Sequence, residues 1–230
     1  LHTGGAAIAV PEYTTDADMA VAPDLLAESP LLVDALTAAG FHQALDPGRW
    51  MSPDGVYLDL LVPESLAGPG RRGADLGVHG RLAARRAHGL EAALVDRASM
   101  SIAALDPGDP RAVRIWVAGP AALLVAKTIK IQERTGTEGR AVDKDALDVL
   151  RLLQVVPTAD LGEGMEHLRS DAISSATTEE ALDAFGGLFA SRNSKGTIMA
   201  ARAASPLEDP DVVAASVVAL ATDLIGRLAR

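Results

Sequence analysis

The chain lacks cysteine altogether, which removes disulfides, thiolate metal ligands and cysteine nucleophiles from consideration. Aromatic residues are scarce: two Trp, two Tyr and three Phe in 230 residues. That is too few for a platform on which successive bases would stack. Lysine is scarce as well, four against seventeen arginines, a bias of coding rather than of chemistry. No apolar run reaches the ~18 residues a membrane span needs, and no leader-like segment opens the chain. The expected compartment is the cytoplasm. The first residues read as the middle of an element, so a segment upstream of Leu1 is expected. Three compact catalytic signatures are also missing: no GxxxxGK[ST] loop, no HExxH and no GxSxG.

What remains is an ordinary globular composition, 48% apolar and 23% charged, with enough length for one medium domain or a core plus a small helical part. The net charge of −10 is uneven. Residues 1–64 carry ten acids and a single base, Arg49. Residues 65–151 carry fourteen bases and ten acids. Residues 152–230 carry six bases and eleven acids. An acidic first third suits a divalent cation, and a basic middle suits a polyphosphate. Both also fit plain solvated faces, and the overall acidity speaks against extensive nucleic-acid binding.

The periodicity predicts mixed elements first and helices afterwards. A short strand is expected over 15–22 and a helix over 30–40, its apolar residues at helical spacing and Gly40 at its end. Hairpin strands are expected over 41–45 and 49–52 around Asp46-Pro47-Gly48. A further strand follows, VYLDLLV, with Val56, Leu58, Leu60 and Val62 on one face and Tyr57, Asp59 and Leu61 on the other. Residues 63–89 read as a loop, and 90–105 fit strand or helix equally. A strand is expected over 113–118. A helix begins at Gly119-Pro120 and runs to Arg134, another spans about 142–155, and everything after Thr158 is helix or loop. This makes an α+β protein: a small mixed sheet with flanking helices over 1–118 and an all-helical part over 119–230.

Three constellations carry chemistry. Asp16 and Asp18 are two apart on a strand, so both carboxylates point one way, and Asp59 sits in the middle of an apolar strand. If the strands are neighbours, three carboxylates converge, and cations are needed to offset their repulsion. Two Mg²⁺ ions would do so and would hold a nucleoside triphosphate for in-line displacement. Gly4-Gly5 lies ten residues upstream, where bare backbone N–H groups suit phosphate or simply a turn. Finally, Lys127, Lys130 and Arg134 form one helical stripe, and Asp145 and Asp148 share a face of the next helix. Between these stand Arg71, Arg72, Arg81, Arg85 and Arg86, five arginines in sixteen residues. They are expected to border the cleft and hold an anionic acceptor, or else to neutralise the acidic first third.

Together these residues resemble the nucleotidyltransferase superfamily, the polymerase-beta-like fold: Gly-Gly, about ten residues, Asp-x-Asp, then a third Asp on a later strand. Within it the chain is similar to the abortive-infection, toxin-like group of bacterial nucleotidyltransferases. The matching residues are Gly4, Gly5, the Thr14-Thr15-Asp16-Ala17-Asp18 run, Lys127 with Arg134 seven on, and Lys144-Asp145-Ala146-Leu147-Asp148. The likeness covers about residues 1–155. It implies metal ligation by Asp16, Asp18 and Asp59, and phosphate held by Lys127. It implies substrate contacts from Gly4, Gly5, Thr15, Lys130, Arg134, Asp145 and Asp148. The implied activity is Mg²⁺-dependent transfer of a nucleotide from a nucleoside triphosphate to a hydroxyl on RNA or protein, with a cognate antitoxin as a further partner. Two alternatives stand beside it. One is a catalytically silent member of the same fold that binds or regulates. The other is a haloacid-dehalogenase-type phosphohydrolase, disfavoured because Pro11 to Thr15 supply no apolar strand before Asp16.

Overall fold

The computed structural model describes residues 16–104, 106, 108–134 and 140–230. They fall into two compact units, residues 16–91 and 92–230.

The first unit is built on a five-stranded mixed sheet. Its elements in chain order are β1 (Asp16–Ala20), α1 (Leu32–Ala38), β2 (His42–Gln43), β3 (Arg49–Met51), β4 (Tyr57–Pro63) and β5 (Arg85–Ala87). β4 is the centre of the sheet. One of its edges pairs in parallel with β1 along residues 57–61. The other is shared between β3, antiparallel at 57–59, and β5, parallel at 61–63. The alternation in VYLDLLV sorts the faces. Leu58, Leu60 and Val62 pack with Trp50, Leu76, Ala83 and Ala84 beneath α1, which contributes Leu32, Val33 and Leu36. The buried Trp50 indole donates to the Ala83 carbonyl at 3.0 Å, so this core leaves no indole proton unpaired. Buried His79 ties the entry to α1: Nδ1 accepts from the Leu32 amide at 3.1 Å, and Nε2 lies 3.0 Å from the Ala27 carbonyl.

Gly48 is a tight point of this sheet. It has φ +74°, and a Cβ there would lie 2.4 Å from the Arg85 amide nitrogen and 2.5 Å from the Leu60 carbonyl oxygen. Its own amide donates to Leu82 O, and its carbonyl accepts from Leu60 N. A side chain is excluded both by the dihedral and by the neighbours. The turn residue therefore brings Arg49 up against β4 and the start of β5.

The second unit comprises α2 (Ala92–Val95), the hairpin β6 (Arg97–Ala103) and β7 (Ala112–Ala118), then α3 (Pro120–Glu133), α4 (Arg140–Val155), α5 (Thr158–Ser170), α6 (Ser175–Phe189), α7 (Lys195–Ala204) and α8 (Pro210–Leu228). Leu124, Ile129, Leu150, Phe185, Phe189 and Val217 are fully buried in its core. The start of α3 is closed by Asp96, whose carboxylate accepts from the Ala122 amide at 2.9 Å. Gly119 leaves room for that cap, since a Cβ would fall 1.9 Å from Asp96 Oδ1. Its far end is closed by Lys195, whose ammonium donates to the Arg134 carbonyl at 3.0 Å.

The α+β class is as expected, and the described chain after Thr158 is helix and loop without strands. Three readings change. The units divide at Glu91–Ala92, not at 118–119. Among the described residues β6 and β7 pair only with each other, and α2 packs on α3, so the hairpin travels with the helices. The expected loop over 63–89 contains β5, which forms because the free edge of β4 beyond Asp59 accepts a strand. The ambiguous stretch 90–105 is both, a short helix and then a strand. No described helix is long and apolar enough to cross a membrane.

Candidate functional site

Across one face of the first unit's sheet, charge changes sign. The β1–β4 register sets Asp18 opposite Asp59, and Asp16 shares Asp18's face by the period of two. The β3–β4 register sets Arg49 opposite Asp59 from the other side, and Arg85 sits beside Leu61 one step along. The face is thus acidic on β1 and basic on β3 and β5, with Asp59 on the line between. Asp16 and Asp18 are exposed, whereas Asp59 is buried at 5% exposure.

Asp59 is held by arginines. Arg85 Nη2 donates to Oδ2 at 2.9 Å. Arg49 Nε lies 3.8 Å from Oδ1, beyond hydrogen-bond reach, and neither of those two buried atoms has a hydrogen-bond partner among the described residues. Arg49 is itself positioned by stacking, its guanidinium 4.2 Å from the Tyr57 ring centroid.

The strand register sets Asp16, Asp18 and Asp59 on one face, whereas the sequence expectation is that they converge on one cation site. Among the described residues, however, no three acidic or histidine side chains stand close enough to hold a metal ion. The donor set itself, three hard carboxylates, suits Mg²⁺.

The basic half of the face opens into a cleft of about 270 Å³. Arg49, Arg71, Arg72, Arg85 and Arg86 line it, with Asp46, Pro47 and Asp59. Four of the five arginines expected at a cleft are there. Arg81 is not, because its guanidinium is bound to Asp75 at 2.7 Å. Arg49 was not singled out from the sequence. It stands alone in an acidic stretch, and only strand pairing brings it beside Arg85. Arg72 reaches Asp46 at 3.2 Å. Arg86 donates to the carbonyls of Gly68 and Gly70 and lies near Glu64, so its fork shapes the loop that carries Arg71 and Arg72.

The helix pair of the second unit forms a charge network. Lys127 Nζ donates to Asp145 Oδ1 and Asp148 Oδ2, both at 2.8 Å. Lys130 lies 3.2 Å and Arg134 3.0 Å from Asp145. Arg151, almost fully buried, donates to Asp148 Oδ1 at 2.8 Å. The stripe expected to face an anion is turned onto the chain's own carboxylates. Burial works against the Lys127 ammonium, but the charges and hydrogen bonds of Asp145 and Asp148 outweigh it and hold its pKa above the ordinary lysine value. Burial likewise works against the Asp145 carboxylate, and Lys127 and Lys130 outweigh it, holding its pKa below the ordinary carboxylate value. Arg151 was not singled out because an arginine one turn after Asp148 reads as surface charge, whereas the fold buries it. Asp143 was missed too, buried and paired in bidentate fashion with Arg202 at 2.5 and 2.7 Å.

Gly4, Gly5 and Thr15 lie outside the described residues. Comparison with protein-family models, curated proteins and solved structures finds no match.

Proposed function

We propose that the chain is a metal-dependent nucleotidyltransferase that moves a nucleotide from a nucleoside triphosphate to a hydroxyl acceptor. The observation that carries this reading is the parallel pairing of β1 with β4, which sets Asp18 opposite Asp59 and Asp16 on the same face. Asp16 and Asp18, with Asp59, are the residues that would hold Mg²⁺. A bound Mg²⁺ supplies charge neutralisation at the triphosphate. In the reaction the acceptor oxygen bonds to the α-phosphorus, the bond from that phosphorus to the β-bridging oxygen breaks, pyrophosphate departs, and the hydroxyl proton passes to solvent. The protein's own part is to orient: strands fix Asp16 and Asp18 more firmly than loops would, and Arg85 sets the position of Asp59. RNA and protein are the acceptor classes in view, with a cognate antitoxin as a regulatory partner.

A second reading is favoured by one observation, the engagement of Asp59 by Arg85 and Arg49. On that reading the chain keeps the fold and binds nucleotide or partner without turnover. One experiment separates them. The protein is incubated with each α-labelled nucleoside triphosphate, Mg²⁺ and total cellular RNA, and products are resolved by size. Label on RNA or protein that disappears in Asp16→Asn and Asp18→Asn supports the transferase. Binding of Mg²⁺-triphosphate without label transfer supports the silent reading, and neither binding nor transfer rejects both.

A further inference from the structure

Residues 11–91 contain six arginines, no lysine and twelve acids. Five of those six arginines line one cleft, and among the described residues only two acids, Asp46 and Asp59, line it with them. An acidic unit has thus gathered nearly all its positive charge at one place. The two acids in the cleft are already answered: Asp59 by Arg85 and Arg49, Asp46 by Arg72. The lining keeps an excess of three positive charges. Arg71 is exposed and has no hydrogen-bond or ion-pair partner among the described residues. Arg85 uses one terminal nitrogen on Asp59 and leaves the rest of its fork available. Arg49 is braced by Tyr57, and its Nε has no hydrogen-bond partner among the described residues. Like charges gathered in one cleft repel one another.

We infer that Arg49, Arg71, Arg72 and Arg85 form a binding site for a phosphoryl group that needs no metal ion. Guanidinium forks suit it: each presents paired N–H donors matched to two oxygens of a phosphate. The site lies on the β3–β5 flank of β4, the opposite flank from Asp16 and Asp18. A metal-held triphosphate and this phosphoryl group would therefore occupy different halves of the same sheet face. Resting on the transferase reading, the inference makes the acceptor a phosphate ester, either a small phosphorylated molecule or a nucleic-acid strand. The anion site itself stands without that reading.

The test uses the full chain in EDTA, so that nothing binds through a divalent metal. Pyrophosphate and a short single-stranded oligoribonucleotide are titrated separately by calorimetry. Both are expected to bind. The double variant Arg71→Gln/Arg72→Gln is expected to weaken them about tenfold or more, while Arg81→Gln, whose side chain is outside the cleft, stays within about twofold. Arg71 has no partner among the described residues, so Arg71→Gln alone should leave the melting temperature unchanged, and it keeps the test open if the double variant folds poorly. An oligonucleotide that binds far tighter than pyrophosphate, with a salt slope that falls in the double variant, identifies a nucleic-acid strand. Equal affinities identify a small phosphate ester. Absence of binding by either probe, or equal loss in Arg81→Gln, overturns the site. Anion binding that persists in a protein without transferase activity would leave this site standing and remove the transferase reading.

Discussion

At the scale of single residues, Lys127 is the sharpest case. Two of its three donors are spent on Asp145 and Asp148, yet Asp145 keeps Lys130 and Arg134 when Lys127 is removed. Lys127→Met should therefore cost about 2 kcal/mol, below the 3–5 kcal/mol typical when a buried charge is left alone. Chemical denaturation measures that cost. Titration with Mg²⁺-triphosphate on the same variant shows whether affinity falls as well, which a purely structural lysine would not cause. The pH dependence follows from the two shifts. Asp145 titrates below its ordinary value of 3.8, so its contribution is fully present above about pH 4 and is lost as pH falls through the lowered value. Lys127 titrates above its ordinary 10.5, so its contribution is fully present below that pH and is lost as pH rises through the raised value. The stability difference between the wild type and Asp145→Asn should be flat from about pH 5 to 9 and shrink under acid. A difference that grows as pH falls below 4 would contradict the network.

At the scale of elements, the cleft depends on a turn. Gly48 needs both a left-handed φ and bare space against Leu60 and Arg85. Gly48→Ala should cost about 1–3 kcal/mol and push β3 away from β5, separating Arg49 from Arg85. Thermal unfolding and pyrophosphate titration should both register it. Gly55→Ala is the control: its φ is also positive at +79°, with nothing within 4 Å of the added Cβ. It should be destabilised by backbone strain while keeping pyrophosphate affinity. Equal loss of pyrophosphate binding in the two variants would show that the turn does not position the cleft.

For the whole molecule, each unit has its own buried cluster, one around Trp50, Leu60 and Val62, the other around the helices from α3 to α8. Trp50→Phe leaves the Ala83 carbonyl without its donor and a void where the indole packed, worth about 1–3 kcal/mol. Faster hydrogen exchange should be confined to residues 16–91, because local stability follows the core that was damaged. Acceleration of equal size throughout α3–α8 would mean that the units unfold as one.

Much of this was legible from residues alone. Alternation in VYLDLLV determined which side chains of β4 face the core, because a strand's period is two whatever it pairs with. The Asp-x-Asp spacing placed Asp16 and Asp18 on one face for the same reason, and helical spacing placed Lys127, Lys130 and Arg134 on one stripe. Partners were another matter, since they depend on which elements become neighbours. Parallel pairing of β1 with β4 brought Asp18 to Asp59. The shared second edge of β4 admitted β5 and carried Arg85 onto Asp59, where the sequence suggested only a loop. Arg49, unremarkable in its own neighbourhood, joined the cleft through Gly48. The basic stripe of α3 met Asp145 and Asp148 because α3 packs against α4 and brings its cations to those carboxylates. Local periodicity is short-range and written in the chain. Charge pairing depends on distances between segments dozens of residues apart, and only the tertiary structure decides those.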